Sequence, residues 1–127
     1  MSMDKSNFSV GETEWMIVKY MSAMGLKIDI EDTNYSEYKY FNHLRYGKIR
    51  DITYQVKVLD KENKLVYFVD VYWGVVNGQL KIVDMENSAR ENPFVYLGLD
   101  NKVVNQYLAE KTSKMAKEWI KLFPERK

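Results

Sequence analysis

The chain has 127 residues, room for one domain with a real core and too few for two. Hydrophobic residues at 46% and charged residues at 29% exclude wholesale disorder, and a formal charge of +1 argues against an acidic nucleic-acid mimic or a strongly basic nucleic-acid binder. The lack of any Cys excludes a disulfide framework, a thiolate zinc site and a Cys nucleophile.

Residues 1–8 are polar, and nowhere does the chain hold the roughly eighteen consecutive apolar residues of a membrane span. The sequence therefore predicts a flexible N-terminus over 1–8, a single domain over 9–123 and a tail over 124–127, in a cytoplasmic protein without a membrane partner. Ser9-Val10-Gly11-Glu12 has capping-box spacing, with a Ser oxygen for the first N–H groups and a Glu three residues on. The helix it opens should run to Met24, with Ile17, Met21 and Met24 along one stripe and Trp15, Val18 and Tyr20 widening it. Gly25 suits the left-handed residue that ends such a helix, and Leu26 the apolar contact after it. The methionines are read as core filling rather than as a pliable groove. Leu26 to Glu31 alternates apolar with charged residues, as an edge strand does.

Between Asp32 and Gly47 the chain is dense in aromatic rings. Tyr35, Tyr38, Phe41 and Leu44 recur at helical spacing, which predicts a short helix or irregular segment ending before Gly47. Ile52 to Glu86 is the clearest stretch: three strands joined by two tight turns. Asn77-Gly78 is a strong hairpin signal, because a type I′ turn needs positive φ at both central residues. It sets Val76 opposite Gln79, Val75 opposite Leu80, Trp73 opposite Ile82 and Val71 opposite Asp84. The preceding turn sets Val58 opposite Tyr67, Val56 opposite Val69, Tyr54 opposite Val71 and Ile52 opposite Trp73. One face thus collects Ile52, Tyr54, Val56, Val58, Tyr67, Val69, Val71, Trp73, Val75, Leu80 and Ile82. The other carries Gln55, Lys57, Val66, Phe68, Asp70, Tyr72, Gln79, Lys81 and Val83, too apolar for a wetted face and too polar for a core. Phe94 to Leu97 reads as a short strand. Asp100 or Asn101 should cap a last helix reaching Leu122, with Val104, Leu108, Met115, Trp119 and Leu122 buried and only Thr112 interrupting the stripe. Lys111, Lys114, Lys117 and Lys121 occupy an adjacent arc, laced with Glu110 and Glu118 as a solvated face would be. The fold class is α+β: an antiparallel meander of three to five strands with the N-terminal and C-terminal helices packed on one face.

Catalytic signatures are absent. His43 is the only histidine, too few for a two-His metal site, and no phosphate-cradling Gly-rich loop or nucleophile elbow occurs. No catalytic residue, metal or cofactor is assigned. The register sends Asp70 and Asp84 to opposite faces, so they form no carboxylate pair. Residues 71–84, VYWGVVNGQLKIVD, are similar to cystatin-like and nuclear-transport-factor-like sheets. That likeness covers one hairpin, includes no functional motif, and is departed from by the long C-terminal helix.

These features lead to the expectation of a non-enzymatic protein-binding module, an inhibitor, immunity or accessory protein. Its Lys, Asn and Tyr richness resembles chains encoded by phages and mobile elements. The contact residues expected for a protein partner are Tyr35, Tyr38, Tyr40, His43, Arg45, Tyr46 and Arg50 with Phe68 and Tyr72, since Tyr and Arg are enriched at binding hot spots. Burial of Val66, Phe68, Tyr72 and Val83 between two copies would make a homodimer. The first alternative is a ligand binder or small enzyme with Tyr54, Trp73 and Asp84 lining a pocket beneath the helices. The second is a nucleic-acid accessory protein, its aromatic and Arg residues stacking on bases.

Overall fold

The structure, a computed structural model, describes residues 10–32 and 40–122. Helix α1 (Val10–Met24) leads into β1 (Lys27–Asp32). Then come β2 (Tyr40–His43), β3 (Gly47–Leu59), β4 (Leu65–Val76) and β5 (Gln79–Asn87), followed by α2 (Asn101–Glu110) and α3 (Ser113–Leu122). All strand pairs are antiparallel. The sheet runs β1-β3-β4-β5, and β2 pairs with Gly47–Arg50 of β3, beyond the stretch that holds β1.

The first hairpin has the expected register, Val58 to Tyr67 through Ile52 to Trp73. Its turn is held by Asp60, whose Oδ1 accepts from the N–H groups of Glu62 (2.8 Å) and Lys64 (2.9 Å). In the second hairpin Asn77 and Gly78 take φ of 52° and 78°, the pair of positive values that a type I′ turn demands. Pairing follows the expected register from Val76–Gln79 to Trp73–Ile82 and then departs from it. A bulge inserts Val83, so Tyr72 meets Asp84 and Val71 meets Met85. The expected Val71–Asp84 pair does not form, because it would bury a carboxylate over the core. The extra residue turns Asp84 to solvent and swings the Met85 side chain in. Asp70 and Asp84 therefore share one face, at diagonal positions, instead of lying on opposite ones.

The inner face is sealed by helices. Ile52, Tyr54, Val56, Val58, Tyr67, Val69, Val71 and Trp73 are buried against Ile17 and Met21 of α1, Val104, Leu108 and Ala109 of α2, and Ala116 and Trp119 of α3. At the order of 2 kcal/mol for each large apolar side chain, this layer dominates the stability. Two polar groups within it are matched: the Tyr67 hydroxyl donates to Asn105 Oδ1 (2.6 Å) and Trp73 Nε1–H to Thr112 Oγ1 (2.7 Å).

Outside the sheet the structure departs from expectation in three places. Only a narrow stripe of α1 beds down, leaving Trp15, Val18 and Met24 exposed. The last helix is two helices. The Thr112 hydroxyl donates to Ala109 O (2.7 Å) while accepting from Trp73, and the chain turns at Lys111–Thr112 to allow it; Leu122 then lies exposed at the end of α3. Phe94 to Leu97 is no strand but a buried Phe94 followed by a 3-10 turn over Val95–Leu97. Asn92 shapes that loop, its Oδ1 accepting from Phe94 N–H (2.8 Å) and its Nδ2 donating to Asn101 Oδ1 (2.7 Å). Asp100 caps α2 as expected, accepting from Val103 N–H (3.1 Å).

Candidate functional site

The outer face, away from the helices, is where composition and packing disagree. Along β4 it presents Val66, Phe68, Asp70 and Tyr72, all half-buried. Gln55 donates to Asp70 Oδ1 (2.9 Å), and Lys57 pairs with Glu31 of β1 (2.7 Å). The hydrogen bond to Glu31 raises the Lys57 pKa above the ordinary lysine value. On β5 the same face carries Lys81, Val83, Asp84 and Glu86.

Over one end of this face lies an arm made of β2 and the start of β3. Residues 40–46 contribute a strand and a tight turn, where a helix or irregular segment was predicted. Gly47, with φ of 74°, is the residue that closes the turn back into β3. His43 holds the turn. Its Nδ1 accepts from the N–H groups of Arg45 (3.0 Å) and Tyr46 (3.4 Å), as a capping Asp would, and its ring lies 4.9 Å from that of Tyr46. Leu44 at the tip is fully exposed, 106% of its reference area. On the other side of the turn, Lys81 of β5 places its ammonium 4.4 Å from the Tyr46 ring centre. Hydrogen bonding to Lys81 and then to Arg45 holds the Tyr46 phenol below its usual pKa, since both cations favour the phenolate.

Gly74 allows the arm to sit this close. A Cβ there would stand 2.9 Å from Ile49 Cδ1 and 3.0 Å from Val83 Cγ1, nearer than packed carbons approach. Ile49 and Val83 therefore meet over a bare backbone, and Ile49 is buried on a face that is otherwise half-open.

The expected contact residues divide into four groups. Arg45 is exposed at the arm tip, with His43 and Tyr46 half-buried beside it. Phe68 and Tyr72 lie further along the same outer face. Arg50 is not with them: 2% exposed, it shares the inward parity of Ile52 and Tyr54, and its guanidinium stacks 4.5 Å above the Trp119 ring. Tyr35 and Tyr38 lie outside the described residues, as does the Tyr40 side chain. The expected pocket does not assemble, because Tyr54 and Trp73 are buried within the core while the bulge places Asp84 on the opposite face. Among the described residues no group of three His, Cys, Asp or Glu is arranged to hold a metal ion. Leu44 and Ile49 were missed by sequence reasoning. The signal for both was Gly47, which marks Leu44-Arg45-Tyr46 as a hairpin loop and Ile49 as an outward strand position. No protein-family model matches the chain, and neither a curated protein nor a solved structure resembles it significantly, so the cystatin-like likeness of residues 71–84 stays that of one hairpin.

Proposed function

We propose that the protein is a non-enzymatic protein-binding module, acting as an inhibitor, immunity or accessory protein through the arm tip and the adjoining outer face. The observation that carries this reading is Leu44, a fully exposed apolar side chain on a turn fixed by the His43 imidazole. A large apolar residue held rigidly in water gains on the order of 2 kcal/mol when a partner covers it, and a pre-set turn loses little entropy on binding. Arg45 and Tyr46 flank it with the polar-tipped side chains that dominate binding hot spots. Phe68 and Tyr72 extend the surface along β4.

Immobilised chain incubated with lysate of its source cell should retain a specific protein. Leu44→Asp and Arg45→Glu should each abolish retention, while Glu62→Lys in the β3–β4 turn should preserve it, with circular dichroism confirming that all three fold. A protein retained equally by every variant would place the contact elsewhere.

A further inference from the structure

Strand β5 closes one side of the sheet, and among the described residues nothing pairs with its outer edge. Its inward side chains are also unfinished. Trp73 and Val71 on β4 are buried, yet their partners Ile82 and Met85 are only half-buried, as is Leu80. Such an edge presents a row of N–H and C=O groups to any strand that fits it.

The bulge decides what fits. From Leu80 the side chains run inward (Leu80), outward (Lys81), inward (Ile82), outward (Val83), outward (Asp84), inward (Met85), outward (Glu86) and inward (Asn87). That order reads the same in both directions from the Val83–Asp84 link. A second β5, antiparallel about a two-fold axis at that link, therefore sets inward residues against inward and outward against outward along the whole overlap. Ile82 meets Met85, Leu80 meets Asn87 and Lys81 meets Glu86, each contact occurring twice. Opposite charges and paired apolar residues at facing positions are the units that stabilise a sheet. The two shorter in-phase registers, centred on Lys81 and on Glu86, would each set a charge against its own copy, and neighbouring registers oppose inward residues to outward ones. A bulge blunts an edge against a regular strand. Against its own copy two residues face two, and the ladder stays in phase on either side.

We propose that two copies of this chain associate through β5 in this register, joining their sheets into one. The surface adjoins the arm at Lys81, whose ammonium lies beside the Tyr46 ring, and no residue of the arm itself enters the register.

The test is sedimentation velocity of the full chain from low to high micromolar concentration. The expected result is a dimer of twice the 15.1 kDa chain mass. Lys81→Glu and Glu86→Lys should each weaken association by about tenfold or more, the equivalent of about 1.4 kcal/mol. Mixing the two variants should restore it. In the mixed dimer the two introduced side chains, carboxylate and ammonium, face each other, and the native Lys81 and Glu86 face each other at the second contact. Since the chain has no Cys, Ile82→Cys mixed with Met85→Cys should also give an oxidised, disulfide-linked dimer. A wild type that stays monomeric throughout overturns the proposal. So does a dimer that both charge reversals leave intact, which would place the contact on another surface such as the outer face.

Discussion

The two faces of one sheet solve opposite problems with the same strands. On the inner face Ile52 to Val58 and Tyr67 to Trp73 place an apolar residue at every second position, buried beneath three helices, and two polar groups there, Trp73 Nε1 and the Tyr67 hydroxyl, meet Thr112 and Asn105. On the outer face, one residue along, Val66, Phe68 and Tyr72 alternate with Asp70 and are only half-buried, and an arm covers one end through Ile49. The contrast locates most of the buried apolar area on one side and leaves the other half-open. Buried polar groups favour a partner within the core, whereas half-exposed apolar side chains leave area that another molecule can cover.

The largest effect that checks this division is truncation of adjacent aromatic residues on opposite faces. Trp73→Ala should cost about 3–5 kcal/mol in urea denaturation, because it opens a cavity and leaves Thr112 without its donor. Tyr72→Ala, one residue away, should cost only about 1 kcal/mol, the typical value for a single substitution. Equal losses would erase the distinction.

Thr112→Val asks whether the inner face depends on polar matching as well as on area. It should destabilise by about 1–3 kcal/mol by stranding the buried Trp73 N–H, with little change in volume. Gly74→Ala addresses the arm in the same way and should cost about 1–3 kcal/mol by overpacking against Ile49 and Val83. Combined with Ile49→Ala, it should cost less than the sum of the two single changes, since the clash is then relieved.

The smallest effect is in titration. Burial pushes the Tyr67 phenol above the ordinary value of 10.0, whereas Lys81 and Arg45 pull Tyr46 below it. A phenol raised in the folded state ionises first in the unfolded chain. Its contribution is therefore complete below the ordinary tyrosine pKa and is lost as pH rises through the folded value. Tyr67→Phe should flatten the alkaline fall in stability. In ultraviolet titration Tyr46→Phe should remove an early-ionising phenol and Tyr67→Phe a late one.

Much of this was legible in the sequence, and the exceptions share a cause. Asn77-Gly78 fixed the second hairpin at its turn because backbone sterics there are local, and the alternation from Ile52 to Val75 assigned the faces. The bulge at Val83 escaped because it arises from the cost of burying Asp84, which the turn does not see. Arg50 was misassigned by residue type although its even parity with Ile52 already marked it as inward. The break at Thr112 depends on Trp73, 39 residues earlier, and no periodicity within a helix contains that contact. At the candidate site the residue types were visible, but the arm was not. Aromatic spacing imitated a helix, and the fit of Ile49 over Gly74 is a relation between strands.

The sheet topology has a kinetic consequence. Every strand pairing joins neighbours in sequence except that of β1 with β3, where Lys27 meets Leu59. Short-range hairpins form at low entropic cost, so the topology predicts the β3–β4–β5 meander as the folding nucleus, with β1 docking later. Gly78→Ala should then mainly slow folding, while Ile30→Ala in β1 should leave the folding rate nearly unchanged and speed unfolding. On that order the lifetime of the folded molecule would follow its last-docked strand, and the rate at which it first appears would follow a two-residue turn.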